Sequence, residues 1–274
     1  MDVNAIIYSY KNPNLLDVVQ NLLDSTDKIV HISILDQHPM DRSSKFKDLK
    51  NVDYTHYFWD RPNGPTWFKE ETIFSKLFDA KYTLVLSDDT LVTEGWLEEC
   101  ISFINNNLKV LVSGKGKRKA KNKDFYFLEY FSDPSEMFYL SHIIDRNFIF
   151  GLTESFYLTG YPRDIKYFGE EEIFSIRCLK AGISVYSAPN NLYKDLKLRT
   201  IENLYCPFSK EHNYNNAIEL METEDGKDWL AKIGISEAPL KLFYQIDDVP
   251  YDPYQLKIAD LGGERFIANT KAIY

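Results

Sequence analysis

The run Tyr82-Thr83-Leu84-Val85-Leu86, ending in Ser87-Asp88-Asp89-Thr90, decides the fold. A short apolar run rich in branched side chains reads as a strand buried on both faces, the kind that parallel sheets contain. In open α/β sheets ligands bind outside the carboxyl ends of such strands. Two carboxylates placed at the tip of this one therefore stand where a binding site is expected.

Working outward, the flanking segments alternate between strand and helix patterns. Ala5-Ile6-Ile7-Tyr8 is an apolar run, Leu15, Val18, Val19, Leu22 and Leu23 recur at helical spacing, and Ile29 to Leu35 is again strand-like. A helix is expected from Thr66 to about Asp79, and another from about Glu94 to Asn106 with Leu97, Cys100, Ile101 and Ile104 buried. A strand follows at Lys109 to Ser113. The order implies a mainly parallel sheet with helices packed on it.

Beyond this point the reading changes. Gly114 to Lys123 reads GKGKRKAKNK, with no apolar face, and is expected to be an exposed loop or hairpin tip. The aromatic-rich segment Phe125 to Phe150 reads as a strand and then a helix. Phe168 to Ala181 reads as a helix with an acidic start, stopped by Gly182. From Glu222 the pattern loosens into segments such as VPYDPYQ and LGGERF. Two units are therefore expected: a main domain over residues 1–221 and an extension, residues 222–274, packed on it.

Size and composition bound the function. A chain of 274 residues with 44% hydrophobic content can bury a large core. No stretch approaches the roughly 18 apolar residues of a membrane span, and the start MDVNAIIYSY has no basic leader, so a soluble, cytoplasmic chain with no membrane partner is expected. Cys100, Cys178 and Cys206 are not grouped as a disulfide framework or zinc site. A net charge of -9 argues against a globally basic nucleic-acid binder.

Two constellations can carry chemistry. Asp88 and Asp89, on a short turn, offer hard oxygen ligands of the kind Mg2+ and Mn2+ take in neutralising a diphosphate. The competing reading is a polar turn that caps the next helix. Glu170, Glu171 and Glu172 follow Gly169 at a helix start, where the helix dipole alone favours acidic residues. A carboxylate so placed can also bind hydroxyls or act as a base.

Four landmarks then occur in order: Ser9-Tyr10-Lys11-Asn12-Pro13, Asn63-Gly64-Pro65, Ser87-Asp88-Asp89 with Gly95-Trp96, and Tyr161-Pro162 leading to Phe168-Gly169-Glu170-Glu171. With these the chain resembles the GT-A glycosyltransferases that add N-acetylglucosamine to polypeptide hydroxyproline and, more remotely, the polypeptide N-acetylgalactosaminyltransferases. The resemblance covers about residues 5–195. It implies a GT-A, Rossmann-like nucleotide-sugar-binding fold and transfer of a sugar from a nucleotide-sugar donor, with UDP expected, to an acceptor hydroxyl with retention. Mn2+ or Mg2+ is the implied cofactor.

The resemblance also assigns roles. Ser87 stands at the first position of the family's metal motif, where an Asp is usual, and Asp89 at the last, which makes Asp89 the first metal ligand. The family's later histidine ligand falls near Asp195, with His212 ranked behind it. Ser9, Tyr10, Asn12, Gly64, Ser87 and Asp88 map to donor binding, with Lys69 where an Arg is usual, and Glu170 or Glu171 to positioning the acceptor. The acceptor is expected to be a polypeptide or glycan. The basic segment, with Lys115, Lys117, Arg118, Lys119 and Lys121, raises an alternative acceptor, a hydroxylated base in DNA. Ser87 raises a second alternative, a non-catalytic module that binds a sugar nucleotide or carbohydrate. The oligomeric state is not legible.

Overall fold

A computed structural model describes residues 2–9, 12–36, 40–56, 80–107, 109–114, 117–122, 125–129, 137–145, 147–159, 170–189, 191–195, 219–235, 242–243, 259–261 and 264–266. The expected helix of residues 66–79 lies outside them. At the centre is an eight-stranded sheet in the order β3-β2-β1-β4-β10-β6-β11-β9. β1 (Val3–Ser9) lies between β2 (Ile29–Asp36) and β4 (Tyr82–Ser87), parallel to both, and β3 (Val52–His56) extends the parallel run. β10 (Phe148–Leu152) is antiparallel to β4 and to β6 (Val110–Ser113), while β11 (Ser184–Ser187) is parallel to β6. The two-residue β9 (Tyr139–Leu140) closes the edge.

The period of two seen in the sequence sorts side chains to two faces. Ala5 and Ile7 of β1, Leu84 and Leu86 of β4, and Phe148 and Phe150 of β10 pack with α1 (Leu15–Ser25) and α2 (Trp96–Asn106). Ile6, Val85 and Ile149 face the other way, onto α3 (Thr153–Thr159) and α4 (Glu170–Lys180) through Phe156, Phe174 and Cys178. The result is three layers. Trp96 anchors the first face: its ring meets Phe148 and Phe150 edge-on at 5.8 and 5.4 Å, and its indole N–H donates to Ser25 Oγ at 3.0 Å.

Two expectations change. The helix read within Phe125 to Phe150 is absent among the described residues; after β8 (Phe125–Glu129) the chain supplies β9 and β10 instead. The reason is the alternation of Phe148, Ile149 and Phe150, whose large side chains serve opposite faces of the sheet. The basic segment is not a loop over most of its length: β7 (Lys117–Asn122) pairs antiparallel with β8, with an irregularity between Ala120 and Asn122. Past Glu222, where the pattern loosens, α5 (Glu224–Lys232) forms. Its Trp229 and Leu230 pack against Ile173 and Ile176 of α4, and Lys180 pairs with Asp225 at 2.7 Å. Thr223 caps this helix, accepting from the Gly226 N–H at 3.2 Å.

The remaining elements are short. β13 (Leu242–Phe243) runs parallel to β8, and β14 (Ala259–Leu261) pairs with β15 (Glu264–Phe266). β5 (Thr90–Val92) pairs with β12 (Tyr193–Asp195) outside the main sheet. Gly182, at φ +69°, ends α4 in the left-handed conformation that its sequence position predicts.

Candidate functional site

Because β1, β2, β4, β6 and β11 all point the same way, their carboxyl ends share one edge. Each strand ends at that edge on a buried polar residue: Ser9, Asp36, Ser87, Ser113 and Ser187. The antiparallel β10 brings its amino end to that edge, so Asp145 and Asn147 join the row; the Ser87 N–H donates to the Asn147 carbonyl at 3.0 Å. The chain leaves β1 toward β2 on one side, while β4 pairs with β1 on the other. The gap between the loops of β1 and β4 is thus the topological switch point, where open α/β sheets bind ligands.

The turn after β4 is tightly held. The Ser87 hydroxyl donates to Asp89 Oδ1 and lies 2.9 Å from Thr90 Oγ1. Since a hydroxyl has a single proton to give, Thr90 is the donor in the second contact. Across from it, the register of β12 sets Asp195 directly opposite Thr90. Opposed residues in an antiparallel pair have Cα atoms about 5 Å apart. Asp89 and Asp195, far apart in sequence, are therefore brought to one place by main-chain pairing.

These donors fit a hard divalent cation: carboxylate oxygens on a short rigid turn with a second acidic residue on the adjoining strand. Among the described residues no three His, Cys, Asp or Glu side chains gather as a metal cluster.

The loop after β1 is joined to this turn. Asn12 donates through Nδ2 to the Asp88 carbonyl at 2.6 Å and accepts the Asn14 N–H at 2.8 Å. Behind it lies a buried ion pair. Arg42 Nε donates to Asp36 Oδ2 at 2.8 Å and Nη2 to Asp36 Oδ1 at 2.7 Å, a bidentate fork. The same guanidinium donates to the Asn12 carbonyl through Nη1 and to Ser9 Oγ at 3.3 Å through Nη2. Tyr54 adds its hydroxyl to Asp36 Oδ2 at 2.6 Å. Burial, then the bond to Asp36, raises the Tyr54 phenol well above its ordinary value.

α4 starts at the same edge, because it runs back against the sheet before β11. Ser175 Oγ accepts the Ile144 N–H at 2.9 Å and donates to the Glu171 carbonyl at 2.5 Å, which ties the first turns of α4 to the segment leading into β10. Glu170 is the first residue of α4, and the side chains of Glu171 and Glu172 are buried. Gly114 packs closely on two polar side chains: an added Cβ would lie 2.9 Å from Asp145 Oδ2 and 3.1 Å from the Tyr193 hydroxyl, so these would have to shift. Cys100 and Cys178 are buried apolar thiols whose pKa values burial raises, so neither is an activated nucleophile.

The structure thus gathers Ser9, Asn12, Ser87, Asp88, Asp89, Asp195 and the start of α4 along one edge. Tyr10, Gly64, Lys69, Lys115 and His212 lie outside the described residues. Lys117, Arg118, Lys119 and Lys121 belong to β7, in the separate β13-β8-β7 sheet. Sequence reasoning missed Asp36, Arg42 and Asp145. Asp36 carried a usable signal, a polar residue ending an apolar run as Ser87 does; Arg42 and Asp145 carried none.

Solved structures share this architecture. The fold is that of the GT-A glycosyltransferases. Staphylococcus aureus TarS superposes with a TM-score of 0.55 at 13% identity over 85% of this chain, and GalNAc-T7, solved with UDP, GalNAc and Mn2+, with a TM-score of 0.56 at 11% identity over 86%. A TarS fragment of residues 1–349 gives 0.55 at 12% over 85% of this chain and 70% of the fragment. This chain spans 43% of the longer TarS chain and 55% of the GalNAc-T7 chain. No protein-family model and no curated protein matches the sequence. Among the described residues no helix is long and apolar enough to cross a membrane.

Proposed function

We propose that this GT-A fold transfers a sugar from a nucleotide-sugar donor, with UDP as the expected nucleotide, to an acceptor hydroxyl, with retention and with Mn2+ or Mg2+ as cofactor. The observation that carries the reading is the register of β5 with β12, which sets Asp195 opposite Thr90 beside Asp89 at the switch point of the sheet. The GalNAc-T7 structure holding UDP, GalNAc and Mn2+ adds to it.

In this reading Asp89 and Asp195 hold the cation, with Asp88 on the same turn. The bound cation supplies positive charge against the leaving diphosphate. Ser87 orients the Asp89 carboxylate. Ser9, Tyr10, Asn12 and Gly64 shape the donor cleft, and Lys69 offers a further cation to the diphosphate, as a point charge without the fork of an Arg. Glu170 or Glu171, at the start of α4, orients the acceptor hydroxyl. Holding the acceptor hydroxyl on the face from which the diphosphate departs, as retention requires, replaces a bimolecular encounter by a local one, which lowers the barrier independently of charge. The acceptor is a polypeptide or glycan.

The test is nucleotide release from a panel of sugar nucleotides with Mn2+, with chelator, and with Asp89→Ala and Asp195→Ala. We expect metal-dependent release, reduced on the order of a hundredfold or more in each variant, since each removes a direct ligand where even a supporting residue is worth about tenfold. Acceptor panels follow with peptide, glycan and hydroxylated DNA side by side. A protein that cleaves no donor, and is not stabilised against heat by any of them, refutes transfer.

A further inference from the structure

β1 and β4 are paired from Val3 opposite Tyr82 to Tyr8 opposite Ser87, so the strands are in register without any help from the loops beyond them. What this pairing leaves open is the orientation of the turn that follows. The peptide joining Asp88 to Asp89 is planar, so whatever fixes the Asp88 carbonyl fixes the plane from which Asp89 projects. Asn12 does that, donating Nδ2–H to the Asp88 carbonyl at 2.6 Å across 76 residues of sequence. Its own position is set at both ends: Oδ1 accepts the Asn14 N–H, and its carbonyl accepts from Arg42, which is 6% exposed and clamped on a fully buried Asp36.

We propose that Asn12 is a positioning residue for the cation site, transmitting the geometry of the Arg42–Asp36 pair to the turn that carries Asp88 and Asp89. The inference rests on the functional reading above. Asp89 is then held twice, through its main chain by Asn12 and through its carboxylate by the Ser87 hydroxyl. Such double constraint organises the ligand before the cation arrives, and residues that only orient ligands in this way are typically worth about 10 to 100-fold in metal affinity.

The experiment measures Mn2+ binding by the loss of the free-ion paramagnetic resonance signal, in the full chain with and without UDP, alongside the thermal midpoint without metal. Asn12→Ser keeps an oxygen that can accept from the Asn14 N–H but cannot reach the Asp88 carbonyl. Asn12→Asp keeps the shape and loses the donor; its added negative charge alone would strengthen cation binding. We expect both to bind Mn2+ about tenfold more weakly, with metal-free midpoints close to that of the unsubstituted protein. A folded Asn12→Ser that binds Mn2+ as tightly as the unsubstituted protein overturns this inference while leaving the cation site intact, and weaker binding by Asn12→Asp despite its added charge supports it. An unsubstituted protein that binds no Mn2+, with or without UDP, overturns the functional reading and this inference with it.

Discussion

Replacing Arg42 by Met tests whether the buried ion pair behind the β1 loop is as structural as its geometry implies. Asp36 is fully buried and receives three hydrogen bonds, two from the guanidinium and one from Tyr54. Met fills much of the same volume but leaves the carboxylate with the Tyr54 hydroxyl alone. Breaking a buried pair on one side costs about 3 to 5 kcal/mol, because the surviving charge remains out of water. Ser9 Oγ and the Asn12 carbonyl also lose a donor, so a loss of about 4 kcal/mol is a central expectation. With a urea m-value of about 3 kcal/mol/M for a domain of this size, the midpoint falls by about 1.3 M. The four tryptophans report the transition by fluorescence. The deciding comparison is the double variant Arg42→Met/Asp36→Asn, which removes the stranded charge and keeps an acceptor for Tyr54. It should recover about 2 kcal/mol over the single variant. If the double variant is no more stable than Arg42→Met, an unpaired buried charge is not the cause of the loss, and the pair is mere packing.

Gly226→Ala has opposite signs on two arguments: helix propensity favours Ala by up to about 1 kcal/mol, whereas the added Cβ would lie 2.1 Å from the Leu220 carbonyl oxygen. Steric contact with backbone should win, and a lowered thermal midpoint checks it; a raised midpoint means α5 does not pack as described. Tyr54 gives a pH dependence. Its phenol titrates higher in the folded state than its ordinary value of about 10, so it stabilises fully below that pH, and the contribution is lost as pH rises above it. Urea midpoints measured from pH 9 to 11 should therefore fall less steeply in Tyr54→Phe than in the unsubstituted protein, and parallel curves would contradict the shift.

How much of this was written in the sequence depends on whether a feature is local. β1, β2 and β4 were legible because each is an apolar run long enough to carry a pattern and ends in a polar residue that marks the sheet edge. The stop of α4 at Gly182 was legible for the same reason: a single residue answers a backbone demand at its own position. β10 was misread, since three alternating large side chains in an aromatic-rich stretch satisfy helix and strand templates alike until the sheet shows two faces to be filled. β5 and β12 have only three residues each, too few for any periodicity, and their pairing joins segments about a hundred residues apart. The adjacency of Asp89 and Asp195 could therefore come from the sequence only by resemblance. Arg42 lies in a polar loop like many surface arginines; nothing near it in sequence foretells that Asp36, Asn12 and Ser9 converge on it.

Ser87 is the departure that bears most directly on whether the site is an enzyme's. An Asp in its place would set two carboxylates close together on one turn, and like charges so placed repel until a cation neutralises them. The serine hydroxyl instead donates to Asp89 Oδ1, which fixes the direction of the carboxylate with no cation present. One potential ligand is exchanged for the orientation of another. The exchange is useful only if Asp89 needs that orientation, and the protein supplies it a second time through Asn12 on the Asp88 carbonyl. A module that binds sugar without a cation has no use for a carboxylate aimed so closely from two sides. On this argument Ser87 weakens the case for a lost metal site, and in the proposed reading the remaining ligand is Asp195, whose backbone the register of β12 sets opposite Thr90.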